Sequence, residues 1–368
     1  MNWQWLIPTK VFYGEDVLIS NADSFKGLGT KALIVTGQGG SPKRNGSLDD
    51  VIQALAKVGI KWELFAKVEA NPSVETVRKG AEWAKDKGAD FIIGIGGGSP
   101  LDAAKAIAVL AVNDINDEDL FDIKFEEVLP IVAIPTTAGT GSEVTPYSII
   151  TYPAIQSKKS IFSSRIFPRL AFLDPKYTLE LPREITVDTG VDAYSHVVEG
   201  YLSSKYSLLS DALAREALVI LGAELRFLAT DQALTYANRN NLLYGSMLAG
   251  MVISHTGTSI PHAMGYSLTY FKDIPHGRAN GMLMPEYINF TLNNSDSFRT
   301  KEVLTYSGFK DLDDFTAVMR KLSGFVPELH AAEIEEYINL AHGAKNIQNN
   351  LVKPKREDLK DILINSMK

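Results

Sequence analysis

A short apolar run at residues 89–95 (ADFIIGI) breaks into Gly96-Gly97-Gly98-Ser99-Pro100 and continues as an Ala- and Leu-rich stretch, 101–112 (LDAAKAIAVLAV). No other segment constrains the fold as much. The run reads as a buried strand, and the stretch after it as a helix buried over most of its surface. Strand, glycine turn and buried helix form part of a strand–helix–strand unit. Repeated units of this size imply right-handed crossovers and a mostly parallel sheet covered on both faces.

The same alternation surrounds it. Residues 31–36 (KALIVT) read as a buried strand ending at Gly37, 47–58 as a helix, and 60–65 as a strand. Residues 74–87 read as a charged amphipathic helix with Ser73 as its cap, and 130–134 as a strand closing on Pro135. Near residue 180 the pattern changes to long helical periods at 186–203, 211–228, 238–254 and 331–343. With 368 residues, the chain is too long for one ordinary core. The expected architecture is α/β: a Rossmann-like dinucleotide-type domain over 1–182 and an all-helical domain over 183–368, closely packed with a cleft between them.

Glycines let a backbone approach a ligand, and the N–H groups that open the following helix suit a pyrophosphate. Many α/β proteins carry such a turn with no ligand. This one is not G-x-G-x-x-G, because Ser99 stands where the third glycine would fall. A second loop, Thr136-Thr137-Ala138-Gly139-Thr140-Gly141-Ser142, follows the next strand. Two loops at the carboxyl ends of parallel strands are where open α/β sheets bind ligands. No Walker lysine motif is present, which favours a dinucleotide over ATP.

The sequence has no cysteine, so disulfides, thiolate nucleophiles and Cys-based metal sites are excluded, and any metal is held by nitrogen and oxygen. Asp192 and His196 are four apart and share a helix face, with His262 and His276 further on. One carboxylate and three imidazoles make a four-ligand site for Fe2+ or Zn2+. His255, seven residues before His262, could share its face, and spacing alone does not choose between them. His330 and His342 lie in charged helical context and read as solvated.

These residues resemble the iron-containing (group III) alcohol dehydrogenase family, in its propanediol- and butanol-dehydrogenase-like branch. The similarity runs from Pro8-Thr9-Lys10-Val11-Phe12-Tyr13-Gly14 through 96–105 (GGGSPLDAAK), 135–145 (PTTAGTGSEVT) and Asp174-Pro175. It takes in the Asp192/His196 segment, His262 and His276-Gly277-Arg278-Ala279-Asn280. The resemblance implies a dinucleotide-binding α/β domain joined to a helical metal-binding domain of the dehydroquinate synthase-like fold. It implies Asp192, His196, His262 and His276 as metal ligands, which decides against His255. Gly97, Gly98, Ser99 and Asp102 match the pyrophosphate turn, and Thr136, Thr137 and Thr140 match positions lining adenosine and diphosphate. Lys158 aligns with a lysine on the nicotinamide ribose, although the loop before it (TYPAIQSKK) departs from the family's acidic-glycine pattern. Asn71 matches another cofactor-lining position. The implied reaction is reversible hydride transfer between NAD(P)(H) and a short-chain alcohol or diol, with the metal polarising the substrate oxygen. Many relatives carry a further histidine four residues after the third ligand. Here that position is Tyr266, so either its hydroxyl, with cofactor ribose and water, carries the proton, or that role is absent.

An acidic residue just after the first strand normally reads the 2′-hydroxyl of NAD. From Gly37 through Ser41 to Arg44 there is no carboxylate before Asp49, and Lys43 and Arg44 stand close by, so NADP(H) is the expected cofactor. Glycerol dehydrogenase and dehydroquinate synthase are rival activities on the same fold. The former lacks a counterpart of His196 and the latter uses glutamate as first ligand. A non-catalytic nucleotide- or metal-binding protein is the rival from another class. Met247, Met251, Ile253, His255, Thr256 and Tyr266 are candidate pocket lining. The net charge of −7, with 37 basic against 44 acidic residues, argues against a nucleic-acid partner. Residues 1–15 lack a basic start, and no stretch approaches the roughly 18 apolar residues of a membrane span. The expectation is a cytoplasmic homodimer acting on a small alcohol or aldehyde, with no nucleic-acid or membrane partner.

Overall fold

The apolar run ahead of the glycine turn becomes an inner strand of a parallel sheet. In the computed structural model, which describes residues 2–155, 157–296 and 298–368, the chain divides into two compact units. An α/β unit holds Ile7–Thr137 and Gly141–Leu181. It begins with β1 (Lys10–Tyr13), α1 (Val17–Ser20), β2 (Lys31–Gly37), α2 (Ser41–Arg44), α3 (Ser47–Lys57), β3 (Lys61–Val68) and α4 (Val74–Lys87). Then come β4 (Phe91–Gly96), α5 (Gly98–Leu110), α6 (Asp117–Phe121), β5 (Ile131–Pro135), β6 (Tyr147–Tyr152), β7 (Ser157–Phe162) and β8 (Leu170–Leu173).

Six strands form one sheet in the order β1-β8-β5-β4-β2-β3, every neighbouring pair parallel. The inner strands are apolar throughout because both faces are covered. Leu33, Val35, Ile92 and Ile131 join Val77 and Ala81 of α4 and Ala104, Ile107 and Ala108 of α5 in one core. Their neighbours Ala32, Ile34, Ile93 and Val132 join Val51, Ala54 and Leu55 of α3 in a second core on the other face. Ser73 caps α4 as expected, its hydroxyl accepting from the Thr76 N–H. Helix α5 starts at Gly98, earlier than the expected Leu101, because the glycine turn is itself the first helical turn and Pro100 is tolerated there. Strands β6 and β7 form a separate antiparallel hairpin.

The helical unit holds Pro182–Lys368, Ala138–Thr140 and the first residues through Leu6. Its helices are α7 (Arg183–Tyr201), α8 (Leu208–Leu228), α9 (Tyr236–Thr256), α10 (Ile260–Lys272) and α11 (His276–Asn294). They are followed by α12 (Arg299–Tyr306), α13 (Leu312–Ser323), α14 (Ala331–His342) and α15 (Arg356–Ser366). Among the described residues this unit contains no strand. Helix α7 is buried from Gly190 through Tyr201 and packs against α8, α9 and α11, so polar side chains on it face other side chains instead of water. No described helix is long and apolar enough to cross a membrane.

Candidate active site

Helix geometry puts Asp192 and His196 one turn apart on the buried part of α7. His262 sits in the first turn of α10, just after Pro261, and His276 opens α11 directly after Pro275. Proline suits a helix start, where its missing N–H costs nothing, and here it fixes where each imidazole leaves the backbone. The His262 Nε2 lies 3.6 Å from Asp192 Oδ1, and the His276 Nε2 lies 4.0 Å from the same oxygen. One ligand atom each from Asp192, His196 and His262 falls within 4.8 Å of the others. The rings of His196 and His262 are 4.5 Å apart and nearly parallel. Asp192, His196 and His262 are buried, and a quarter of the His276 side chain is exposed.

The donor set fits a divalent cation. Tetrahedral ligands at about 2.0–2.1 Å from a metal stand roughly 3.3–3.5 Å from one another, close to the 3.6 Å between Asp192 Oδ1 and His262 Nε2. The 4.0 Å to His276 Nε2 is longer, and His276 lies outside the close group of three. The Asn280 Nδ2 lies 3.1 Å from Asp192 Oδ1, 3.2 Å from His262 Nε2 and 3.3 Å from His276 Nε2. One amide nitrogen therefore faces three polar atoms of the site, a carboxylate oxygen and two imidazole nitrogens. The Asn280 Oδ1 meanwhile is buried and has no hydrogen-bond partner among the described residues. It lies against the Cα of Gly265, where any larger residue would collide with it.

Burial alone would raise the Asp192 pKa, but the imidazoles of His196, His262 and His276 hold it below the usual carboxylate range. Burial lowers the His196 pKa. At His262 burial acts downward, yet the Glu199 and Asp192 carboxylates overcome it and bring the ring to about 10. Glu199 went unnoticed in the sequence. It is fully buried, with Oε1 2.5 Å from His262 Nδ1 and Oε2 accepting from the Ser259 N–H. Its place three residues after His196 on the same helix face is the signal that could have found it.

Tyr266, one turn after His262, stacks its ring on His276 at 5.2 Å and 9°. His255 does not share a face with His262: α9 ends at Gly257, which has φ of 69°, and the two histidines lie on separate helices. The His255 ring packs against Trp5 and Trp3 instead. His330 and His342 are exposed. Of the expected pocket lining, Thr256 is fully buried with its hydroxyl bonded to the Val252 carbonyl, which removes it from any open wall. Met247 and Ile253 are buried as well.

In the α/β unit, Gly96 pairs with Pro135, so the turn after β4 and the loop after β5 leave the sheet side by side. The Thr136 N–H donates to the Gly96 carbonyl. A Cβ on Gly97 would stand 3.0 Å from the Thr137 Oγ1, tighter than ordinary contact, so glycine keeps the two loops close. Gly98 and Ser99 form the first turn of α5. Thr140 belongs by its contacts to the helical unit. Three expected cofactor residues meet directly. The Asn71 N–H donates to Ser99 Oγ, and Lys158 Nζ donates to Asn71 Oδ1 at 2.8 Å. Gln156, in the loop before Lys158, lies outside the described residues. Gly37 ends β2 and Ser41 opens α2, whose Arg44 donates to the Gly39 carbonyl.

Asp102 turns inward, accepting from the Ser142 hydroxyl and the Ile149 N–H. Lys105, quoted above only as part of a motif, is fully buried and donates to Ser142 Oγ and to the Thr145 and Tyr147 carbonyls. Burial lowers its pKa to about 8 against the pull of Asp102 and Glu143.

Residues 8–175 match the iron-containing alcohol dehydrogenases, and residues 186–367 match the Fe-containing alcohol dehydrogenase family, C-terminal. The chain belongs to the iron-containing alcohol dehydrogenase family. It is 35% identical over 300 residues to the 1,3-propanediol dehydrogenase of Citrobacter freundii, covering 79% of this chain and 76% of that one. It is likewise 35% identical over 309 residues to the NADH-dependent butanol dehydrogenase B of Clostridium acetobutylicum, covering 82% and 78%. The crystal structure of an iron-containing alcohol dehydrogenase from Thermotoga maritima superposes with a TM-score of 0.92 at 40% identity, covering 100% and 99%. This iron-containing alcohol dehydrogenase is therefore a metal-dependent enzyme of alcohol oxidation and aldehyde reduction that uses a nicotinamide cofactor. The matches favour neither the glycerol dehydrogenase and dehydroquinate synthase readings nor a non-catalytic one.

Proposed function

We propose that Asp192, His196, His262 and His276 hold one divalent ion, Fe2+ or Zn2+, and that the substrate is a short-chain alcohol or diol and its aldehyde. The observation that carries this reading is the convergence of a buried carboxylate and imidazole nitrogens on the single amide of Asn280. When bound, the cation supplies Lewis-acid polarisation of the substrate oxygen and the nicotinamide supplies or accepts hydride.

The chain's own residues do the rest. Asp192 brings the negative charge that a divalent ion requires, and burial strengthens that attraction. Tyr266, held parallel to His276, offers a hydroxyl that would hold or move a proton beside the metal site. The Gly97–Ser99 turn and Thr136, Thr137 and Thr140 serve the cofactor phosphates and adenosine. Asp102 serves by fixing the loop that contains Ser142. Lys158 serves the nicotinamide ribose, and Asn71, in contact with it, lines the cofactor site.

NADP(H) is the preferred cofactor in this reading. One relative's name carries NADH, so membership of the family leaves the choice to the residues. Those residues are Gly37, Ser41, Lys43 and Arg44, with no carboxylate before Asp49. In this reading residues 1–182 act as the cofactor domain and 183–368 as the metal domain of a cytoplasmic homodimer, the division being supported by the motifs each part carries.

The test is metal analysis of anaerobically purified enzyme, followed by NADPH oxidation with a panel of short aldehydes. The expected result is stoichiometric Fe2+ or Zn2+ and turnover that stops on chelation. Metal-independent turnover would overturn the reading.

A further inference from the structure

A buried carboxylate is costly to keep charged, and replacing such a group by an apolar one is often neutral or stabilising. Glu199 is completely buried on α7, and among the described residues its ion-pair partner is an imidazole, His262. Its two oxygens are spent on one helix. Oε1 takes the His262 Nδ1–H at 2.5 Å, and Oε2 takes the N–H of Ser259, the residue that precedes α10, at 2.5 Å. Glu199 therefore clamps both the backbone at the start of α10 and the side chain in its first turn.

We propose that Glu199 is a positioning residue for the metal centre: it fixes His262 as the tautomer with the proton on Nδ1, so that Nε2 presents its lone pair to the metal. This rests on His262 being a ligand, as argued above. The His196 Nδ1 faces the Gly139 carbonyl at 3.3 Å and the His276 Nδ1 the Thr269 hydroxyl at 3.4 Å, both longer than the 2.5 Å between Glu199 and His262. The Glu199 carboxylate thus backs the imidazole whose Nε2 lies 3.6 Å from Asp192 Oδ1. A carboxylate behind a ligating histidine fixes the ring and raises its basicity. Here it also brings a second negative charge beside that of Asp192, and together the two match a divalent cation.

The clamp has its own support. The Ser259 hydroxyl donates to the Tyr287 hydroxyl at 3.4 Å, Tyr287 donates to Asn350 Oδ1 at 2.7 Å, and Asn350 Nδ2 donates to the Val352 carbonyl at 2.6 Å. Tyr287 and Asn350 are fully buried. This chain ties the start of α10 to the segment between α14 and α15.

The experiment compares the full-length wild type with Glu199→Gln and Glu199→Asp, each loaded with Co2+ and with Zn2+. The readouts are the visible spectrum of the Co2+ form, the rate of metal loss to a chelator, and the thermal midpoint of the metal-free protein. Glu199→Gln keeps the size and one acceptor but loses the charge. It is expected to weaken metal binding by about 10- to 100-fold and to shift the Co2+ spectrum. Glu199→Asp is expected to recover part of the affinity. A purely structural staple would lower the midpoint of the metal-free protein and leave the affinity and spectrum of the folded variant unchanged, and that result overturns the proposal. Should Glu199→Gln fail to fold, nitrogen-15 NMR of the wild-type Zn2+ form decides. A strongly downfield proton on His262 Nδ1 with Nε2 bound to metal supports the clamp, and an unprotonated Nδ1 refutes it. Wild-type protein that takes up no metal would instead defeat the reading of the site itself, which separates the two failures.

Discussion

Glu143 is buried, its Oε1 has no hydrogen-bond partner among the described residues, and burial pushes its pKa up to about 7 against the pull of Lys105. A carboxyl whose folded pKa lies above its unfolded value favours the folded state at low pH. That contribution is complete below 4.5 and is lost as pH rises through 7. Glu143→Gln should therefore abolish a fall in stability between those values, by at most on the order of 3 kcal/mol. Denaturant midpoints measured across that range check this, and parallel curves for variant and wild type would contradict it. Tyr266 carries the second prediction at this scale. Tyr266→Phe keeps the ring stacked on His276 and removes the hydroxyl. The expected outcome is unchanged metal content with kcat lowered at least about 10-fold, in the range of lost general acid–base assistance. An unaltered kcat and pH profile would assign the proton to another route.

At the scale of elements, the proposed preference for NADP(H) is tested at the carboxyl end of β2. A Cβ on Gly37 would meet only ordinary contacts, the Val68 carbonyl at 3.6 Å and Pro100 Cγ at 3.7 Å, so a side chain fits there. Gly37→Asp places a carboxylate where the loop now has Lys43 and Arg44, and should move the ratio of kcat/KM for NADPH over NADH toward NADH by about 10-fold or more. A wild type that already prefers NADH would sink the assignment. The inner strands were legible because burial on both faces writes them as unbroken apolar runs. β1, with four residues, was hidden by its length, and β7 (SKKSIF) reads as a polar segment because its outward positions face solvent. Helices α10 and α11 were obscured by Pro261, Gly265, Gly277, Gly281 and Pro285, residues that weaken a helical signal locally and are kept here by packing.

Across the whole molecule, the Asp192/His196 pair was legible from its spacing, whereas His262 and His276 needed the motifs around them. The residues that complete the centre were not legible. Asn280 was quoted only as part of a motif, and Glu199 looks like any helical glutamate until its burial is known. Local pattern finds groups that share one element, and only the packed helices reveal those that meet across three of them. These helices are proposed to hold one divalent ion through Asp192, His196, His262 and His276. Metal content per chain in anaerobically prepared wild type and His196→Ala tests this proposal most directly. The expected result is about one Fe2+ or Zn2+ per wild-type chain, and loss of most metal and of alcohol dehydrogenase activity in a folded His196→Ala. A His196→Ala protein that keeps both its metal and its activity would contradict it.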